Sequence, residues 1–106
     1  MEKNAGMDLD PKQLKEFIGE EFSLLIEGQP ALALVLREVE ALPPPPEDAL
    51  AQFPNMRRRP FSLLFEMPKG FFVSQNTYRL RHEALGESDF FLVPVEAGAY
   101  LQSVIS

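Results

Sequence analysis

His82 is the only histidine in the chain, so any chemistry that needs an imidazole, as base or as metal ligand, has to run through it. A general base needs a second group to orient it, and a nucleophile has to sit beside it. A zinc-type site needs further nitrogen, sulfur or carboxylate ligands. Glu83, Glu87 and Asp89 follow His82 closely, but they fall in a turn, where acidic residues serve solubility. The chain has no cysteine, which excludes disulfides and thiolate metal sites. Gly70, Gly86 and Gly98 are isolated turn glycines rather than a phosphate cradle. No catalytic, cofactor or metal residue is assigned, and the expectation is a non-enzymatic chain without a cofactor. His82 shares a strand face with Tyr78 and Leu80, and a structural histidine with a satisfied hydrogen bond is its default role. Gly86 and Pro94 are likewise read as structural.

The elements around His82 come from its own neighbourhood, residues 61–95. Phe61, Leu63, Phe65 and Met67 alternate with Ser62, Leu64 and Glu66, the period of a strand with one face on a core. Pro68-Lys69-Gly70 ends that run. Thr77 to His82 alternates again, with Tyr78, Leu80 and His82 on one face and Thr77, Arg79 and Arg81 on the other. Leu85-Gly86-Glu87-Ser88 reads as a turn with Gly86 at positive φ. Phe90 to Val95 is a nearly continuous apolar run, the pattern of a strand covered on both faces. Pro94 within it indicates an edge position or a bulge, since proline has no N–H to give a ladder. Residues 80–91 therefore form a hairpin, with 61–67 expected as its neighbour.

Earlier in the chain, Asp10-Pro11 is an N-cap followed by proline at the first helical position. Leu14, Phe17 and Ile18 make a helical stripe closed by Gly19, giving a short helix over 10–18 that lids one end of a sheet. Residues 1–9 read as a disordered leader. Residues 21–27 form a first strand, and Gly28-Gln29-Pro30 a hairpin connection. The next segment, 31–42, fits strand or helix by composition, and the connection before it favours strand. Its alternation slips after Leu36, which a bulge near Leu36-Arg37 would absorb. Residues 100–105 supply a last strand. The fold expected is mainly β: a small antiparallel barrel or sandwich of about six strands with one short N-terminal helix. It forms a single domain over 10–106, interrupted by a proline-rich loop at 43–59.

That loop, with its surroundings, carries the candidate partner-binding residues. Pro43, Pro44, Pro45 and Pro46 form a stiff polyproline segment, which acts as a spacer or suits an aromatic-lined groove. A connection this long is uncommon in a compact domain. Phe53 and Met56 are candidate docking side chains, and Arg57, Arg58 and Arg59 are a solvated cluster or a docking point for an acidic partner. Leu25, Leu64, Phe72 and Phe90 fall on nominally outer faces, and exposed apolar patches mark interfaces.

Composition narrows the classes further. A chain of 106 residues fits one domain able to bury a core without staples. A net charge of −6 argues against a general nucleic-acid binder. No run approaches the roughly 20 apolar residues of a membrane helix, and the first residues lack the apolar stretch of a signal peptide. The expectation is synthesis in the cytoplasm, with no membrane partner.

Phe61-Ser62-Leu63-Leu64-Phe65, Tyr78-Arg79-Leu80-Arg81-His82-Glu83-Ala84-Leu85-Gly86 and Phe91-Leu92-Val93-Pro94-Val95 together resemble a small bacterial domain family of unknown function. Its pattern joins a His-x-x-Leu-Gly piece to a Leu-Val-Pro-Val piece, and Phe17, Gly19 and Phe22 match its opening. Asn76 stands where the family often has glycine, and Glu83 where it often has proline. Such domains tend to be encoded beside phage-tail-collar proteins of the microcystin-dependent type. The resemblance implies a component or assembly partner of a phage-tail-like fibre, as a homo-oligomer or hetero-complex, in an extracellular or phage-like assembly. It implies no active site. A small-ligand-binding barrel, with Tyr78, His82 and Arg79 or Arg81 near its mouth, is the alternative.

Overall fold

The computed structural model describes residues 10–43, 46–52 and 60–105. Six antiparallel strands close into a barrel: β1 (Glu21–Leu25), β2 (Leu32–Ala41), β3 (Phe61–Glu66), β4 (Asn76–His82), β5 (Gly86–Val95) and β6 (Tyr100–Ile105). The order around the barrel is β1-β2-β3-β6-β5-β4, and β4 pairs back onto β1. Closure removes the sheet edges that an open six-stranded sheet would expose.

The period-two pattern sets which side chains fill the interior. Phe61, Leu63, Phe65 and Met67 all point inward and are buried. They meet Phe22 and Leu24 of β1, Leu34 and Leu36 of β2, Leu80 of β4, Phe90 and Leu92 of β5, and Leu101 of β6. A chain of aromatic rings runs through this core. Phe17 packs edge-on against His82 at 4.8 Å and His82 lies 4.7 Å from Phe22. Phe22 then meets Phe65 at 5.3 Å, and Phe65 meets Phe90 at 6.4 Å. Full burial of each large apolar side chain contributes about 1.5–3 kcal/mol, so this interior is the main source of stability.

The N-terminal segment is the expected lid. A short helix, α1 (Pro11–Leu14), continues as a tighter turn over Lys15–Phe17. Asp10 caps it by accepting the Lys12 N–H at 3.0 Å, with Pro11 at the first helical position. Leu14 is buried and Phe17 packs partly against the core, but Ile18 lies outside that stripe and is 44% exposed. Gly19, at φ +95°, turns the chain into β1 and donates its N–H to the Leu36 carbonyl at 2.7 Å.

The slip in β2 is a bulge. Leu36 pairs with Phe65 and Glu38 with Leu64, so Arg37 is the extra residue. It keeps Leu34, Leu36 and Val39 all inward across a change of phase that a regular strand would not allow.

Four expectations are corrected. First, β3 does not neighbour the 80–91 hairpin: it pairs with β2 and β6, and reaches Phe90 only across the core. Second, the hairpin turn is Glu83–Leu85, and Gly86 (φ +89°) opens β5 rather than sitting mid-turn. Third, β5 is not covered on both faces. Phe90 points inward, and Phe91 takes the outer face at 50% exposure. Fourth, the stretch 43–59 is not all loop, since α2 (Glu47–Gln52) forms within it.

Pro94 follows from how β5 is shared. Residues 86–92 pair with β4 and Val93–Val95 pair with β6. Pro94 therefore lies where β5 has left one neighbour, a local edge that tolerates a missing N–H. Among the described residues no helix is long and apolar enough to cross a membrane.

Candidate functional site

The two ends of the barrel differ. One carries α1, the β4–β5 turn and the β2–β3 connection. At the other lie the β1–β2 hairpin, the β3–β4 crossing loop and the β5–β6 connection. Because β3 and β4 are not neighbours, residues 67–75 must cross the second end. Pro68 accepts the Phe71 N–H at 3.4 Å, and buried Val73 anchors the far side of the crossing.

This crossing divides the barrel mouth into two grooves that share Phe71. One, of about 580 Å³, lies against the β1–β2 hairpin and is lined by Ile26, Pro30, Leu32, Val73 and Tyr78 among others. The other, of about 330 Å³, lies against the β5–β6 connection, between Met67–Phe71 and Ala97–Tyr100. Phe71 is 53% exposed and Phe72 is 72% exposed, so two adjacent phenylalanines stand in solvent at this end.

Phe72 is placed by the β5–β6 connection. Glu96 and Ala97, neither of them glycine, have φ of +53° and +57°, and Gly98 follows at +89°. Left-handed backbone costs a non-glycine residue about 1–2 kcal/mol, so this left-handed turn is strained. A Cβ on Gly98 would lie 3.1 Å from Cδ2 of Phe72, so the ring rests directly on that glycine. The Ala99 carbonyl takes the Met67 N–H at 2.9 Å, which ties the turn to the start of the crossing loop.

At the helical end His82 is fully engaged. Its Nδ1 accepts the N–H groups of Ala84 (3.0 Å) and Leu85 (3.3 Å). That requires Nδ1 to be unprotonated, so Nε2 carries the proton and donates it to Glu20 Oε1 at 2.8 Å. The imidazole holds the hairpin turn with one nitrogen and the lid with the other, and neither nitrogen is left facing a vacant site. Among the described residues no group of three histidine, cysteine or acidic side chains could hold a metal ion.

The other sequence-derived candidates scatter. Arg79 and Arg81 stand on the outer wall. Arg79 is hydrogen-bonded to Glu87 and lies beside Asp89, and both raise its pKa above the ordinary arginine value. Tyr78 does line the mouth, donating its hydroxyl to the Ser74 carbonyl at 2.7 Å. His82 sits at the opposite end, so the Tyr78–His82–arginine mouth does not assemble. Leu25 and Leu64 are half-buried, and Phe90 is inside. Pro43 and Pro46 are exposed, while Pro44, Pro45, Phe53, Met56, Arg57, Arg58 and Arg59 lie outside the described residues. Phe72 is the candidate that the mouth retains. Phe71, Gly98 and the Ile26–Leu32 wall were missed; the sign of them was a Phe-Phe pair after a Pro-Lys-Gly turn and before the next alternating run.

A closed antiparallel barrel with a packed interior and an aromatic loop end defines a small all-β domain. A family model described as a domain of unknown function (DUF6916) matches residues 9–105, and the chain belongs to that family. No curated protein and no solved structure matches it.

Proposed function

We propose that this is a non-enzymatic protein-interaction domain and that the barrel mouth around Phe71 and Phe72 is its docking face. The observation that carries this is the exposure of both phenylalanines on a loop held down by Val73, with Phe72 seated on Gly98. Aromatic side chains already fixed in place lose little entropy on binding and supply large contact area. His82, with both ring nitrogens occupied, suits a structural part better than an acid–base one.

The finer reading is a component or assembly partner of a phage-tail-like fibre. It is supported by the sequence resemblance alone. A ligand-binding barrel has less support, because the interior is filled by its own side chains, as is usual for a barrel this small, and any ligand would be confined to the mouth.

Light scattering after size exclusion, on the chain alone and co-expressed with the product of its neighbouring gene, tests the proposal. A stable oligomer or co-eluting complex that Phe71→Ser/Phe72→Ser disperses is expected. A monomer in both runs, or a complex unaffected by the double substitution, overturns it.

A further inference from the structure

We infer that the groove beside the β1–β2 hairpin accepts an extended, uncharged peptide segment as an added strand along Asn76–Tyr78 of β4. This rests on the interaction reading and names the chemistry of the partner. Strand β4 pairs with β5 over its whole length, from Asn76 to His82, but with β1 only at Arg79–Arg81. Over Asn76–Tyr78 the β1 side of the ladder is unfilled, because β1 ends at Leu25 and the chain turns away through Ile26 into the hairpin. The barrel is closed at its waist and open along this short edge at its mouth.

Two backbone groups, one on this edge and one just before it, are met by local side chains. Asn76 Oδ1 accepts the Thr77 N–H at 2.8 Å, and the Tyr78 hydroxyl donates to the Ser74 carbonyl. Side chains that blunt an edge in this way can be displaced by a strand that supplies the same bonds from its own backbone. Charge decides what kind of strand. None of the side chains lining the groove is charged at neutral pH, in a chain of net charge −6. An acidic segment would meet repulsion from the molecule as a whole, and a basic one, though drawn by the net charge, would find no carboxylate in the groove to pair with, whereas an uncharged, alternately apolar segment meets Ile26, Leu32, Val73 and Phe71.

The test is amide NMR on the isotope-labelled protein, titrated with a blocked hexapeptide of alternating valine and threonine. Its backbone N-methylated form, equally apolar but without donors, is the control. Expected are shifts confined to 26–32 and 71–78, binding at least tenfold weaker for the methylated peptide, several-fold tighter binding for Asn76→Ala, and loss of binding for Ala31→Glu. Both substitutions are at exposed positions, so the fold should survive them. No shifts, shifts elsewhere, or equal response to the methylated peptide overturns the inference. So do concentration-dependent shifts in this region without peptide, which would make a second copy the occupant. A Phe72-dependent complex that persists alongside a negative titration would leave the interaction reading standing.

Discussion

The Nε2 of His82, in the β4–β5 turn region, donates to the Glu20 carboxylate at 2.8 Å across 62 residues of sequence. On the other side of the ring, Nδ1 collects two backbone N–H groups of the turn. A single buried side chain therefore joins the N-terminal lid to the hairpin, sandwiched between Phe17 and Phe22.

The two nitrogens can be tested separately. Asparagine places an acceptor near Nδ1, and glutamine places a donor near Nε2. His82→Asn keeps the turn bonds and loses the Glu20 link. His82→Gln does the reverse and leaves the N–H groups of exposed Ala84 and half-buried Leu85 without their acceptor, which costs less than the roughly 1–3 kcal/mol of a fully buried group. The expected order of stability in urea unfolding is wild type, then Asn, then Gln, with Ala lowest. Equal losses for Asn and Gln would show that ring packing alone matters.

The strained connection before β6 predicts opposite effects at adjacent positions. Gly98→Ala puts a side chain at φ +89° and against the Phe72 ring. It should cost about 1–2 kcal/mol and displace Phe72. Ala97→Gly relieves a residue at φ +57°, less the added freedom of the unfolded chain, for a net gain of about 0.5 kcal/mol. Thermal unfolding reads both, and a destabilising Ala97→Gly would show that the turn is not strained in solution.

Ser103 is an inward-facing residue of β6, 1% exposed, and its hydroxyl has no hydrogen-bond partner. A buried hydroxyl without a partner costs about 1–3 kcal/mol relative to an apolar group of the same shape. Ser103→Ala is therefore expected to stabilise the barrel by about 1 kcal/mol, seen as a raised urea midpoint with an unchanged slope. A lower midpoint would mean that the hydroxyl is satisfied in solution.

The strands were legible because alternation is a local signal: Phe61-Leu63-Phe65 and Tyr78-Leu80-His82 declare their faces without knowing their neighbours. Pairing was not, since nothing local in 61–67 says that β6 lies beside it rather than the hairpin. The Phe90–Phe91 pair shows the same limit. Both residues suit a strand, and only the register with β4, which pairs Phe91 with the exposed Thr77, decides which ring goes in. The mouth was least legible because it is made by two hairpin connections and the loop that crosses from β3 to β4, and its left-handed turn uses Glu96 and Ala97, residues that carry no signature for positive φ.

Arg37 offers a test of what the bulge is for. It is the unmatched residue between Leu36 and Glu38, and its guanidinium pairs with Glu66 on the outer wall. Both side chains are roughly half exposed, so the ion pair should contribute at most about 1 kcal/mol, and Arg37→Ala should move the unfolding midpoint little. Deleting Arg37 is a different change. It leaves Leu34, Leu36 and Val39 in plain alternation and Leu36↔Phe65, Glu38↔Leu64 as consecutive pairs, so neither the core pattern nor the register is disturbed. What is lost is the local bend and extra twist that a bulge gives to its strand, which a barrel this small needs to close. The deletion should therefore cost clearly more than the alanine substitution and weaken the closing β1–β4 ladder first, with faster amide exchange at Arg79–Arg81 than elsewhere in β4. If deletion and substitution are equally mild, curvature comes from another source and the bulge serves only to place Arg37.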